Sequence, residues 1–303
     1  MEKAIEKAGV LIEALPYIQR FHGKHVVIKF GGSAMEEPHV VDDVVEDVVF
    51  LAAVGIRPIL VHGGGKAISQ AMKQSGVEPR FVAGHRMTDE ATLDVVVRVL
   101  VAQVNADVID RIRRHGGAGV CGFRDGRSLL RARRKAIAVK GEDGRTTEVD
   151  VGFVGEVTRV DTDGLKALAT QGIVVVPPIG QDDSGQLYNV NADSAAAAIA
   201  RDLKAEKIVF LSDVHGIMER PGDTNSFLSS VDRNRVKDLI ERGIIDGGML
   251  PKVAACLEAV QAGVGKAHII DGTLQHSLLL EIFTDAGVGT EIVDRAALPC
   301  GPR

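Results

Sequence analysis

This 303-residue chain has few aromatic side chains, and neither sign of charge dominates. Tryptophan is absent, aromatic residues make up 4% of the chain, and 36 Lys and Arg stand against 41 Asp and Glu. The resulting net charge of −5 provides no basic surface of the kind that binds nucleic acid or anionic membranes. We therefore expect neither a nucleic-acid partner nor a membrane partner.

Long apolar runs are also missing. No window reaches the ~18 consecutive apolar residues that a membrane-spanning helix needs. Residues 1–25 carry charges throughout and lack the continuous apolar stretch of a signal peptide. Together these absences predict a cytoplasmic protein.

Cysteine is scarce, whereas glycine is abundant. Cys121, Cys256 and Cys300 are odd in number, far apart and without Cys or His neighbours at metal-ligand spacing. They predict reduced cysteines, and we assign no metal ligand to the chain. The 34 glycines, by contrast, favour tight turns between strands and helices.

Strand and helix patterns alternate along most of the chain. Short apolar runs predict buried parallel strands at residues 26–30, 56–61, 173–176, 207–211 and 267–270. Between them, helical patterns occupy residues 40–54, 67–75, 89–114, 164–171, 193–203, 231–242 and 252–262. This alternation predicts an α/β fold, an αβα sandwich with a mostly parallel central sheet.

The middle of the chain, residues 122–161, breaks this alternation with shorter β-like pieces, which predict a hairpin insert. Its basic run at 131–135 is typical of a solvated face, and we assign it no function. We place a boundary between two closely joined lobes near residue 204, giving segments 23–204 and 205–303.

Residues 1–22 form a separate amphipathic pattern that predicts an N-terminal helix. Pro16 should kink or split this helix. Two placements are open: the helix packs on the core of its own subunit, or it docks on a partner chain. The apolar positions that recur near helical spacing are Ile5, Ala8, Ile12, Leu15 and Phe21.

Two glycine clusters follow the first two predicted strands, KFGGS at 29–33 and HGGGK at 62–66. Ligands of open parallel sheets bind beyond these carboxyl ends. Glycine lets backbone N–H groups approach an anion closely, and a following helix adds its positive N-terminal end. Either cluster alone is also compatible with a tight turn, and neither fits a P-loop or a dinucleotide fingerprint.

Lys29 and Lys252 are the candidate stabilisers of a transferring phosphoryl group. A lysine at the last position of an apolar strand is costly unless it meets an anion, although a lysine reaching the surface is the alternative. Lys252 lies in DGGMLPKV, where Gly247 and Gly248 precede a helix. Two cations at separate glycine turns could clamp a phosphoryl group from both sides.

Polar residues at two helix starts are candidate substrate ligands. We expect Asp193 to be the N-cap of the alanine-rich helix that follows it. Asn189 and Asn191, at alternate positions before it, should point to one side of an extended strand. Arg86 in GHRMT could pair bidentately with a carboxylate, or be an ordinary surface arginine.

The ordered combination VVIKFGG, LVHGGGKAI, GHRMTDEAT, LYNVNADSAAAAIA, FLSDVHGI and IIDGGMLPKV resembles the amino-acid kinase family over residues 26–293. Within that family it is similar to the members that phosphorylate N-acetyl-L-glutamate. The resemblance implies an acceptor-binding and dimerising N-terminal lobe (23–204) and an ATP-binding C-terminal lobe (205–303). It also implies Mg²⁺ held mainly by the nucleotide phosphates.

The resemblance further implies the residue roles. Lys29 and Lys252 would stabilise the phosphoryl group and Asp193 would orient both lysines. Acetylglutamate would be held by Gly64, Gly65, Arg86, Asn189 and Asn191. ATP would contact Gly31, Gly32, Ser212, Asp213, Val214, His215, Gly216, Ile217, Gly247, Gly248 and Met249.

Other members of this family phosphorylate glutamate, aspartate, carbamate or UMP, so the fold does not choose the substrate. A non-catalytic metabolite sensor on the same fold is a further alternative. The presence of both Lys29 and Lys252 speaks against a sensor, which has no transition state to stabilise.

Both ends of the chain resemble a subset of these kinases that are hexamers, built as trimers of dimers, and inhibited by L-arginine. The resemblance makes residues 1–22 an oligomerisation and regulatory helix. The implied effector residues are His276, Glu281 and Gly287 in HSLLLEIFTDAGVGTEI, although a core-packed helix and a turn would explain the same letters.

Overall fold

The protein is described by a computed structural model that covers residues 2–140, 146–220, 222–284 and 287–294. The helices are α1 (Glu2–Phe21), α2 (Pro38–Ala53), α3 (Gly65–Gln74), α4 (Glu90–Val97), α5 (Ala106–Arg114), α6 (Thr162–Ala169), α7 (Ala192–Leu203), α8 (Arg233–Glu241), α9 (Met249–Gln261) and α10 (Ser277–Phe283). A π-helical segment occupies Arg98–Asn105, and short 3-10 turns occupy Gly32–Met35 and Thr224–Ser226.

The strands are β1 (His25–Phe30), β2 (Arg57–His62), β3 (Phe81–Val82), β4 (His85–Arg86), β5 (Gly119–Cys121), β6 (Phe123–Arg124), β7 (Arg127–Ser128), β8 (Leu130–Arg134), β9 (Ile137–Lys140), β10 (Thr146–Val149), β11 (Val154–Val160), β12 (Ile173–Val176), β13 (Ile179–Gln181), β14 (Leu187–Val190), β15 (Lys207–Ser212), β16 (Ser230–Asp232), β17 (Lys266–Asp271) and β18 (Thr290–Val293).

A mostly parallel sheet forms the centre of the molecule. Within the described residues it contains eight strands in the order β16, β18, β17, β15, β1, β2, β12, β5, and only β18 against β17 is antiparallel. Each of the five apolar runs that predicted strands lies in this sheet. The αβα prediction is confirmed, because burial on both faces selects continuous apolar strands covered by helices.

The two faces of the sheet divide the side chains of each strand. Val26, Ile28 and Phe30 of β1 pack with α2, α5 and α10, whereas Val27 packs on the opposite side with α7 and α9. Since side chains alternate along a strand, Lys29 shares the face of Val27. The sequence of β1 thus aims Lys29 at α7.

The predicted hairpin insert is present but is more elaborate than expected. Its antiparallel pairs are β6 with β7, β9 with β10, and β8 with β11. Strands β8, β11, β13 and β14 close into a small barrel, which the local pattern of residues 122–161 did not predict. In the basic run, Arg133 and Arg134 form exposed ion pairs with Glu156 and Asp150.

The long helix predicted at 89–114 is interrupted by the π-helical segment between α4 and α5. A π-helical turn accommodates extra residues per turn and so changes which side chains face inward. Here it places Asn105 inside the protein, where its side chain is buried. The hydrophobic pattern alone did not reveal this interruption.

Helix α1 is continuous through Pro16, so the prediction that proline splits it is wrong. Proline removes one backbone hydrogen bond, and the rest of the helix accommodates that loss. Phe21 is 2% exposed and packs in the core, whereas Ile12 is 68% exposed and Ile5 and Leu15 are also exposed. The chain therefore covers only the C-terminal end of α1.

Cys121 is half-buried and Cys256 is buried, both as free thiols, while Cys300 lies outside the described residues. Within the described part of the chain, none of the helices combines the length and apolar character that a membrane crossing requires.

Candidate active site

A cleft of about 1010 Å³ opens at the carboxyl ends of β1 and β2. Three walls are supplied by the glycine turn after β2 with α3, by the β3–β4 hairpin, and by the π-helical segment. The start of α7 supplies the fourth wall. Seven predicted site residues line it: Lys29, Gly32, Gly64, Gly65, Arg86, Asn189 and Asn191.

Asp193 holds two lysines at one end of this cleft. Its Oδ1 lies 2.9 Å from Nζ of Lys29, and its Oδ2 lies 3.4 Å from Nζ of Lys252. Lys29 comes from the end of β1, Asp193 from the first turn of α7, and Lys252 from the first turn of α9. The structure therefore brings together the three residues for which the sequence predicted a catalytic role.

We had expected Asp193 to be the N-cap of α7, but it is not. Its carboxylate is therefore free to contact the lysines. The N-cap is Asn191, whose Oδ1 accepts hydrogen bonds from the backbone N–H groups of Asp193 at 2.9 Å and Ser194 at 3.0 Å. An amide at this position satisfies the helix end without adding charge. The carboxylate two residues later is left to face the lysines.

The triad carries a net positive charge in a buried setting. Burial lowers the pKa of Lys29, the carboxylate of Asp193 raises it, and Lys252 lowers it again, so that the pKa lies below the usual lysine range. The two ammonium groups thus share one carboxylate. An anionic group entering beside them would supply the missing countercharge.

Little space separates the two turns where they meet. A Cβ on Gly31 would lie 2.8 Å from Nζ of Lys29 and 3.3 Å from Cα of Gly63. The backbone N–H of Gly63 donates to the carbonyl of Phe30 at 2.7 Å, which ties the second turn to the end of β1. Gly32 has φ of +75°, a conformation that glycine adopts readily. Gly63 was missed by the sequence analysis, although it lies within the HGGGK cluster.

Arg86 is a buried cation at the opposite end of the cleft. Its Nη2 donates to the carbonyl of Gly65 and to Oγ of Ser69, both at 2.9 Å, and its guanidinium lies over the ring of Phe81. Burial lowers its pKa. Within the described ranges, no carboxylate forms an ion pair with Arg86, so its charge is available to an anionic ligand.

The two asparagines have different partners. The Nδ2 of Asn189 donates to Oγ1 of Thr88 at 3.3 Å, while Asn191 uses its oxygen to cap α7. Both side chains belong to the wall between Arg86 and the lysine pair.

Among the predicted nucleotide residues Gly32 lines this cleft, whereas the loop 212–217 lies on the other side of β1. Ser212 ends β15, the neighbour of β1 on the side away from β2. The loop that follows is anchored by Thr290, whose Oγ1 accepts from the N–H of Ile217 at 2.8 Å. Asp213 of this loop is close enough to Lys29 to raise its pKa. Lys29 therefore stands between the cleft at β2 and a second side at β15.

Two further features border the second side. Gly247 has φ of +45°, and Gly248 precedes α9 without a side-chain cap on the helix. Asp271, which the sequence analysis missed, ends β17 and lies 2.7 Å from Nδ1 of His215. The sequence could have indicated Asp271, because this residue, like Ser212, lies at the end of a buried strand. Among the described residues, no cluster of acidic, His or Cys side chains has the makeup of a metal site.

Two of the three implied effector residues, Glu281 and Gly287, lie in contact. Gly287 lies against Glu281, where an added Cβ would be 2.8 Å from Oε2. Although burial raises it, the pKa of Glu281 is held below its usual range by His268 and by the N–H groups of Val288 and Gly289. His276 instead lies 2.7 Å from Asp47 of α2. The histidine beside Glu281 is therefore His268, not His276.

Comparison with known proteins is consistent across sequence and structure. Residues 24–271 match the model of the amino acid kinase family. The chain is 47% identical over 296 residues to the acetylglutamate kinase of Heliobacterium modesticaldum, covering 97% of this chain and 100% of that one. It is 46% identical over 291 residues to the acetylglutamate kinase of Carboxydothermus hydrogenoformans, covering 96% and 99% respectively.

Among solved structures, N-acetylglutamate synthase from Neisseria gonorrhoeae is similar in two complexes. The complex with coenzyme A and N-acetyl-glutamate has a TM-score of 0.78 at 26% identity, covering 94% of this chain and 63% of the synthase chain. The complex with coenzyme A and L-arginine has a TM-score of 0.74 at 28% identity, with 94% and 65% coverage. This chain thus spans under two thirds of the synthase. The family match and the near full-length kinase relatives place the chain in the amino acid kinase family.

Proposed function

We propose that this protein transfers the γ-phosphoryl group of ATP to the side-chain carboxylate of N-acetyl-L-glutamate, giving N-acetyl-L-glutamyl 5-phosphate for arginine biosynthesis. The observation that carries the proposal is a cleft with the net-positive Lys29–Asp193–Lys252 triad at one end and the buried Arg86 at the other. The kinase relatives share this chain nearly end to end, which supports acetylglutamate as the acceptor.

The acceptor needs no general base. A carboxylate is ionised at neutral pH, because its pKa is near 4, and it can attack directly. The remaining task is to bring two anions together and to neutralise the charge of the transferring group. Lys29 and Lys252 would supply that charge, with Asp193 fixing the direction of both ammonium groups.

The acceptor would lie along the cleft between the two cationic ends. Arg86 would pair with the carboxylate that does not react, since its guanidinium is buried and lacks a carboxylate partner in the described residues. Asn189 and Asn191 would contact the middle of the molecule. The reacting carboxylate would then meet Lys29 near the N–H groups of Gly64 and Gly65.

ATP would occupy the side of β1 that carries the predicted nucleotide residues. The loop 212–217 begins at the carboxyl end of β15. Lys252 lies on α9, shortly after the turn 247–249. Mg²⁺ would enter with ATP and shield its phosphates. The two-lobe division at residue 204 is part of this proposal, with the acceptor held by the N-terminal lobe.

We also propose feedback inhibition by L-arginine. The similarity of this fold to a synthase solved in complex with L-arginine supports this proposal. Glu281 and Gly287 lie together, and Lys207 is buried next to Phe21 with its Nζ 5.1 Å from the ring centre. Burial lowers the pKa of Lys207 to about 8. In the described part of the chain Lys207 has no ion pair, so a carboxylate ligand would satisfy it.

The exposed stripe of α1 supports a homo-oligomer. Ile5 and Ile12 are more than half exposed and Leu15 is 43% exposed, at helical spacing on a helix whose last turn is anchored in the core. Apolar side chains in such a row are typical of a surface that another chain covers. We propose a hexamer, as a trimer of dimers, in which α1 helices contact each other between dimers.

The first test measures ADP release with Mg²⁺-ATP and acetylglutamate, glutamate, aspartate, carbamate or UMP as acceptor. We expect acetylglutamate to be strongly preferred. Equal or better turnover of another acceptor would show that the protein is a kinase of that acceptor and not of acetylglutamate. No turnover of any acceptor, together with retained acetylglutamate binding, would favour a sensor.

The second test replaces each lysine of the triad. Lys29→Met and Lys252→Met should each lower kcat by at least ~10²-fold, the scale of losing one preorganised charge stabiliser. Acetylglutamate KM should change far less. Lys24→Met is the matched control, because Lys24 precedes the other end of β1 and makes a largely exposed ion pair with Glu206. A triad variant that behaves like this control would remove that lysine from the reaction.

The third test pairs Arg86→Ala with a matched substrate analogue. Arg86→Ala should raise the acetylglutamate KM by roughly 30-fold or more, the scale of losing a charged hydrogen bond of ~2 kcal/mol. N-acetyl-isoglutamine, whose α-carboxylate is an amide, should be poor for the unmodified enzyme but lose little further in the variant. Equal losses with both compounds would show that Arg86 does not contact the α-carboxylate.

The fourth test addresses α1 without disturbing Phe21. Ile12→Glu should yield smaller species in sedimentation velocity, since it places a charge in the proposed interface, with kcat within about twofold. Arginine inhibition should weaken, because an effector acts through its different affinities for two states. Glu13→Gln on the same helix is the control. An unchanged sedimentation coefficient with unchanged inhibition would contradict the proposed role.

A further inference from the structure

A buried polar network lies behind the second glycine turn, outside the residues that contact substrate. His62 ends β2 and is fully buried, with Nδ1 2.7 Å from the carbonyl oxygen of Gly63. Its Nε2 lies 3.1 Å from Nδ2 of Asn105 in the π-helical segment. The same Nδ2 donates to the carbonyl of Val175 on β12 at 3.0 Å.

The protonation of this network follows from its one unambiguous member. The backbone oxygen of Val175 can only accept, so the group of Asn105 that faces it must be the NH₂ group. That NH₂ group also faces Nε2 of His62, which must therefore be the unprotonated nitrogen. Burial lowers the pKa of His62 to about 4, so the neutral ring carries a single proton. The proton is on Nδ1 and is donated to the carbonyl of Gly63.

The held carbonyl determines where the next N–H group points. In a planar trans peptide the C=O of Gly63 and the N–H of Gly64 point in opposite directions. Because the oxygen is turned to the buried ring, the N–H of Gly64 is turned away from it. Gly64 lines the cleft, and within the described residues its N–H has no hydrogen-bond acceptor.

We propose that His62 and Asn105 are positioning residues: Asn105 fixes the Nδ1-protonated tautomer of His62, which holds the Gly63 peptide so that the Gly64 N–H is directed at the transferring phosphoryl group. This inference rests on the proposed kinase function. The carbonyl oxygen of Asn105 is buried without a hydrogen bond, a cost that an apolar residue would avoid. Its presence is explained by the tautomer that its NH₂ group selects.

The decisive comparison is between His62→Asn and His62→Gln. The Asn Nδ2 occupies the position of the histidine Nδ1 and can still donate to Gly63, whereas the Gln amide reaches the position of Nε2 and cannot. Both variants open a similar gap in the core, which makes each the control for the other. We expect His62→Gln to lower kcat by at least ~30-fold, below the full effect of losing an oxyanion donor. His62→Asn should stay within about fivefold of the unmodified enzyme.

Two readouts separate positioning from structural damage. The KM values for ATP and acceptor should stay within about threefold in His62→Gln, because the Gly64 contact strengthens only in the transition state. Affinity for ADP with aluminium fluoride and acceptor should fall in proportion to kcat. Equal kcat losses in both variants, or no loss in His62→Gln, would overturn the proposal.

A measurement on the unmodified protein keeps the proposal testable if a variant does not fold. In ¹⁵N-histidine NMR of the unmodified protein, the ring assigned to His62 by its through-space contacts should show a protonated Nδ1 and an unprotonated Nε2, without titration near neutral pH. The opposite tautomer would overturn the proposal. The kinetic comparison uses whichever acceptor the substrate panel finds best, so a wrong substrate assignment would be detected there and would not alter this result.

Discussion

The rest of the site depends on the placement of one buried carboxylate between two ammonium groups. Asp193 joins β1, α7 and α9, three elements that are distant in sequence, through its contacts at 2.9 Å and 3.4 Å. Removing one partner of a buried ion pair costs roughly 3–5 kcal/mol, because a charge is left unpaired. Lys29, the penultimate residue of β1, is therefore tolerated because α7 and α9 begin beside it. The same constraint leaves one positive charge in excess, facing the open cleft.

A second constraint is the distance between the two glycine turns. The KFGGS and HGGGK turns approach closely at Gly31 and Gly63, where an added Cβ on either residue would lie 3.2–3.3 Å from the Cα of the other. Backbone N–H groups can then occupy space that side chains would fill. The network of His62, Asn105 and Val175 braces this turn from behind, where solvent is excluded. The glycines of this turn have no side chains to hold it in place. The buried polar groups behind it supply that rigidity.

The sequence predicted the strands of the central sheet because burial on both faces leaves a continuous apolar run, which local composition reveals. It also indicated Lys29, since a cation at the end of such a run is conspicuous. It failed at Asn191 and Asp193, because either residue can cap a helix and only the backbone conformation selects between them. The role of His62 was missed because its hydrogen-bond partner, Asn105, is 43 residues away in the sequence. The small barrel was missed for the same reason, as its closure joins strands from separate parts of the chain.

The roles that remain predictions can be ordered by what balances each buried cation. Lys29 has Asp193 beside it, and Lys252 shares that carboxylate. Among the described residues Arg86 has neutral acceptors and an aromatic ring as its partners, so there its burial is compensated by hydrogen bonds but not by charge. Lys207, at the amino-terminal end of the interior strand β15, has the ring of Phe21 and the more distant field of Glu281 and Glu291. A buried cation without a paired anion is stable only at a cost, and binding an anionic ligand removes that cost. The acceptor, the nucleotide and the proposed effector all carry carboxylates or phosphates, so these cations indicate where anionic ligands would bind on a fold whose net charge is negative.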